Sequence, residues 1–139
     1  VLGGDLRLVD DTYNANPGSM VAAIETLVSM HGSRRTLAVL GDMLELGPQS
    51  ADLHREIGRA AGDARIDRLY VAGNFATAVA DGAKDRQMTA DRIFCGTKTA
   101  IIEQLNHHLH EGDMILVKGY RGMAMEEVVE AIVSRADER

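Results

Sequence analysis

Short apolar-rich runs alternate with amphipathic helical stripes along most of this chain, and that alternation restricts the fold more than any other feature. The strand candidates are residues 6–10, 36–40, 68–71, 92–95 and 114–117. Between them, Met20, Ile24, Leu27 and Val28 recur at helical spacing, as do Leu53, Ile57, Ala60 and Ala61, and then Ile101, Leu105 and Leu109. Met125, Val128, Val129, Ile132 and Val133 form the most regular stripe, and a weaker helix is predicted over 75–83. These apolar positions are read as core. Strands that alternate with helices need crossover connections, which give parallel pairing with helices on both faces. The expectation is an α/β fold: a mostly parallel sheet of five or six strands.

No repeat, low-complexity tract or linker interrupts the pattern, so residues 1–139 are read as a single domain. A domain of this size buries roughly 68–70% of its unfolded surface. The net charge of −6 argues against a nucleic-acid partner, which would call for a basic face. No apolar run approaches the roughly 20 residues that span a bilayer, and the opening VLGGDLRLVDD has no signal-peptide character. Cys95 is the one cysteine, which excludes a disulfide framework within the chain. A soluble, cytoplasmic domain without a membrane partner is expected.

In open parallel sheets, ligands bind outside the carboxyl ends of the strands. Three polar loops reach that rim: DDTYNANPGS after the first strand, LGDMLELGP after the second, and VKGYRGM after the last. Asn16 reads as a helix N-cap with Pro17 at the first helical position. Asp10 and Asp11 suit either a ligand contact or a charged strand end that holds loop amides. Lys118 and Arg121 sit beside Gly119 and Gly122, which permit close backbone approach to a ligand, and Arg121 can fork onto a carboxylate or phosphate. A surface salt bridge is the plainer alternative.

Familiar constellations are missing. The chain has no G-x-x-x-x-G-K-[ST] loop for a triphosphate and no G-x-G-x-x-G after the first strand. His107, His108 and His110 suit a solvated helix end better than a metal site, since only the first and last share a helix face. Cys95 is read as an inert buried thiol, and His54 as a packing or surface residue. Asp10, Asp11 and Lys118 also match the outline of a phosphate-accepting receiver domain. The third strand, however, ends in Leu69-Tyr70-Val71-Ala72-Gly73 with no acceptor carboxylate.

DDTYNANPGSM, LGDMLELGPQSADLHREIG and ILVKGYRGMAMEEVV, in that order, resemble the carboxy-terminal domain of the Mur ligases. Within that family they resemble the branch that joins D-alanyl-D-alanine to UDP-N-acetylmuramoyl-tripeptide in peptidoglycan precursor synthesis. The resemblance runs from residue 6 to 133, with little signature over 74–96. Tyr120 departs from it, because small residues such as serine are common there in the branch. The resemblance implies a Rossmann-like sheet and a three-domain, ATP-dependent amide-forming ligase. An amino-terminal domain for the UDP-sugar and a central ATPase domain with the phosphate loop would complete the enzyme. Mg2+ is expected mainly on the central domain, with no metal ligand here, and this domain alone is expected to be inactive. By motif position, Asp11 matches an acid that contacts the ATP ribose, with Tyr13, Asn14 and Asn16 bordering the nucleotide. Asp42, Glu45, Lys118 and Arg121 are assigned by charge to the zwitterionic dipeptide. Another Mur or folylpolyglutamate-type ligase, or a non-catalytic binding module on the same sheet, is the alternative.

Overall fold

The computed structural model describes residues 5–12, 14–43 and 46–137. Five strands form one sheet: β1 (Arg7–Asp11), β2 (Thr36–Leu40), β3 (Arg68–Val71), β4 (Ile93–Cys95) and β5 (Met114–Lys118). All are parallel, in the order β1-β5-β2-β3-β4. The helices are α1 (Pro17–Met30), α2 (Ser50–Asp63), α3 (Ala76–Asp85), α4 (Lys98–His108) and α5 (Glu126–Asp137).

The strand order explains where the helices lie. From β1 through β4 the chain advances in one direction across the sheet, so right-handed crossovers put α1, α2 and α3 on one face. It then doubles back to insert β5 between β1 and β2, which sends α4 to the other face, where α5 also packs. Strand side chains alternate accordingly. Ala38, Leu40, Leu69, Val71, Met114 and Leu116 pack under α1–α3, while Leu37, Val39, Tyr70, Ile115 and Val117 pack under α4 and α5. Burial on both faces is why β2 and β5 read as unbroken apolar runs.

Local signals set several boundaries. Asn16 caps α1: its side chain accepts from the Ser19 amide at 2.9 Å, and Ser19 Oγ accepts in return from the Asn16 amide. With Pro17 at the first position, this start follows directly from NPGS and contributes about 1 kcal/mol. Helices α2 and α3 touch backbone to backbone. A Cβ built on Gly58 would lie 1.9 Å from the Val79 carbonyl oxygen, and one on Gly82 would lie 1.9 Å from that of Arg55. Any side chain at either position would force the helices apart.

The differences from expectation are small and have local causes. β1 includes Asp11 because it stands in register with Lys118 of β5. β4 begins after Arg92, whose guanidinium donates to the Ile66 and Asp67 carbonyls from a short 3-10 turn. Leu109 and Met125 are buried but lie just outside α4 and α5. No helix among the described residues is long and apolar enough to cross a membrane.

Candidate functional site

Because β1, β5 and β2 are neighbours, their three following loops emerge side by side at one rim. The backbone fastens them. The Gly41 amide donates to the Lys118 carbonyl at 2.8 Å, and the Tyr120 amide donates to the Asp42 carbonyl at 2.9 Å. Gly41 and Gly119 make this possible: a Cβ on Gly119 would meet Met125 Cγ at 2.8 Å and Gly41 Cα at 3.2 Å. The room that Gly119 provides is therefore filled by the protein itself.

On the β1 side, Lys118 projects from β5 toward the start of α1 and is 1% exposed. Its Nζ donates to Asp11 Oδ2 at 2.6 Å and to the Asn14 carbonyl at 2.9 Å. The Asp11 side chain is 41% exposed, and no described residue takes its second oxygen. Thr12 Oγ1 donates to Asp10 Oδ1, so Asp10 serves the turn. Asn14 and Asn16 are exposed; the oxygen of the Asn16 side chain is already used in the cap. Tyr13 lies outside the described residues, as does Glu45 of the second loop.

On the β2 side, Asp42 is 7% exposed and turned inward. Its Oδ2 accepts from the Asn74 amide at 2.8 Å and its Oδ1 from the Phe75 amide at 3.0 Å, so it holds the loop that enters α3. Gly73 supplies the turn, at φ +107°, and a Cβ there would overlap the Asp42 carboxylate. Beneath this sits His54 of α2, 1% exposed and stacked on Phe75 with ring centroids 4.4 Å apart. Nδ1 lies 2.7 Å from the Ser50 carbonyl, which can only accept, so Nδ1 carries the proton. Nε2 in turn accepts from the Met43 amide at 3.0 Å. His54 is thus a buried support for the second loop, a role with no local signal because its partner Met43 is eleven residues away.

The third loop carries Arg121, exposed in a short 3-10 turn (Arg121–Met123). Ala124 closes that turn with φ 52°, a conformation that costs a non-glycine residue about 1 kcal/mol. A brace unforeseen in the sequence holds it: Lys98, at the start of α4, donates to the Met123 carbonyl at 2.8 Å and pairs with Glu127 at 2.5 Å. Elsewhere on the rim, Cys95 is exposed rather than buried, because β4 is an edge strand. Its Sγ turns back toward the Ala76 carbonyl at 3.7 Å, and the resulting desolvation raises its pKa. Among the described residues no group of three or more histidine, cysteine or acidic side chains is placed to hold a metal ion.

Acidic, amide and guanidinium groups thus share one rim, a surface suited to a polar ligand. Known proteins match this chain along most of its length. The family model for the Mur ligase, glutamate ligase domain matches residues 1–121. The UDP-N-acetylmuramoyl-tripeptide–D-alanyl-D-alanine ligase of Escherichia coli is 43% identical over 127 residues, covering 90% of this chain and 26% of that protein. A crystal structure of MurF from Acinetobacter baumannii superposes with a TM-score of 0.81 at 28% identity, covering 96% of this chain and 29% of the other. MurF from Thermotoga maritima, crystallised with ADP, gives 0.75 at 26% identity, covering 99% and 30%. The chain therefore spans less than a third of the length of each of these three relatives, and it belongs to the Mur ligase family as that family's carboxy-terminal, glutamate ligase domain.

Proposed function

We propose that this chain is the carboxy-terminal domain of a longer, ATP-dependent ligase that adds D-alanyl-D-alanine to UDP-N-acetylmuramoyl-tripeptide. The observation that carries the reading is the convergence of the three motif loops at the ends of β1, β5 and β2. In the proposed reaction the terminal carboxylate of the tripeptide takes the γ-phosphoryl group of ATP, releasing ADP. The dipeptide amine then attacks the acyl phosphate carbon, loses a proton, and phosphate leaves as the amide forms.

This domain's residues bind and orient. Asp11 offers an outward carboxylate oxygen to ribose hydroxyls, and Asn14, Asn16 and Tyr13 are assigned to the border of the nucleotide. Arg121 and Glu45 are assigned to the carboxylate and ammonium ends of the dipeptide. Asp42 retains lone pairs beyond those its two amides use, so its contribution to the ammonium is an added field as much as a contact. Mg2+ is assigned to the central domain, with no ligand from this chain. The amino-terminal and central domains are the partners in the same polypeptide, and the cytoplasm is the compartment where the nucleotide substrates occur.

The test uses the full-length protein. Phosphate release should require both D-alanyl-D-alanine and the UDP-linked tripeptide, and the 139-residue chain alone should release none. Turnover with glutamate as incoming amine would move the assignment to a folylpolyglutamate-type or sister Mur ligase. No turnover with any amine would favour a binding module.

A further inference from the structure

We infer that Lys118 is a positioning residue for the nucleotide side of the rim, not a contact for the dipeptide, an inference that rests on the proposed assignment of Asp11 to ATP. Period-two alternation along β5 puts Lys118 on the same face as Met114 and Leu116, the face that α1 covers. Its aliphatic stem therefore runs through the core, and its ammonium surfaces only beneath the β1–α1 loop. There it makes two contacts with two different parts of that loop. One fixes the Asp11 carboxylate at the end of β1, and the other fixes the Asn14 backbone three residues on.

This geometry separates the two oxygens of Asp11. Oδ2 faces inward and is held at 2.6 Å, while the other is left outward on a side chain that is 41% exposed. A carboxylate fixed through one oxygen presents the other in a set direction. Its rotamer freedom is lost at folding and not again when a ligand arrives. The Asn14 contact does the same for the backbone that carries Asn14 and leads to the Asn16 cap.

Stability does not explain a lysine here. Burying an ammonium carries a desolvation cost that can exceed the gain from its pairing, and apolar residues of similar volume often replace buried ion pairs without loss. The neighbours along β5 on this face are a methionine and a leucine, so an apolar side chain fits the pattern of the strand. What an apolar residue cannot do is orient Asp11.

The test is Lys118→Met in the full-length enzyme, alone and combined with Asp11→Ala. We expect the apparent KM for ATP to rise tenfold or more, the KM for D-alanyl-D-alanine to stay within twofold, and the melting temperature to fall little. With Asp11 already alanine, the methionine should add clearly less than it does alone, the remainder coming through the Asn14 contact. Backbone hydrogen exchange over residues 11–16 should speed up tenfold or more, a readout that needs no turnover. A rise confined to the dipeptide KM, or an effect on ATP that multiplies with that of Asp11→Ala, would overturn the inference. Unchanged exchange over 11–16 would overturn it too. Faster exchange in a protein that shows no dipeptide-dependent turnover would reject the proposed reaction while leaving the positioning of the loop intact.

Discussion

The two flanks of the rim each contain an aspartate at or just past a strand end, and they use it in opposite ways. Asp11 gives one oxygen to the protein and leaves the other outward; Asp42 gives both oxygens to backbone amides and is nearly sealed. The flank near β1 is a presented group on a fixed mount. The flank near β2 is the mount itself, in which His54, Phe75 and Asp42 join the loops after β2 and β3. Residue type does not separate an acid with an outward oxygen from one whose oxygens are both engaged. The count of partners on each oxygen does.

That contrast predicts where stability and binding will part. Asp42→Ala should have the largest effect on folding, roughly 3 kcal/mol, because two loop amides lose a charged acceptor in a nearly closed site. Chemical denaturation measures it, and a loss under about 1 kcal/mol would mean that water replaces the carboxylate and the flank is not structural. His54→Ala should cost somewhat less, about 2 kcal/mol, since it removes the acceptor for the Met43 amide and the stack on Phe75. Faster exchange of the Met43 amide is its specific sign.

On the other flank the order reverses. Asp11→Asn keeps an acceptor for Lys118, so it should cost no more than about 1 kcal/mol in stability. It should raise the KM for ATP about tenfold, equal to about 1.4 kcal/mol of binding. Equal ATP kinetics in variant and parent would return Asp11 to a purely structural role. Arg121→Lys should be the mildest for folding, within about 0.5 kcal/mol, as befits an exposed position. Loss of the planar fork should raise the dipeptide KM several-fold and leave that of ATP alone. An effect on ATP instead would place the third loop with the first.

Much of the architecture was legible because burial writes itself into the central strands. The predicted limits of β2 and β3, 36–40 and 68–71, coincide with those observed, since both strands are apolar and covered on both faces. The capping of α1 was equally plain in Asn16-Pro17. The location of the rim followed from the topology of alternating elements. The direction of its side chains did not. Charge alone points Lys118 to a ligand, yet its ammonium turns inward, because a position on a doubly covered strand must first satisfy the core. The same holds for Asp42, whose amide partners lie more than thirty residues ahead in the chain. His54 and Lys98 support loops through contacts eleven and twenty-five residues away, separations at which sequence pattern carries no signal.

The strand order has a consequence for how such a site comes into being during synthesis. β1 is made first, yet its one ladder partner among the described strands, β5, is made last, more than a hundred residues later. While the ribosome is producing everything between them, β1 has no neighbour to pair with, and Asp11 has no counter-charge. The sheet from β2 to β4 can assemble earlier, because those strands pair in the order of their synthesis. A message cut short before Met114 would therefore yield a chain with most of its helices but without the Asp11–Lys118 pair. Lys118 acts in that sense as a proof of completeness: the β1 side of the rim takes shape only once translation has passed the fifth strand.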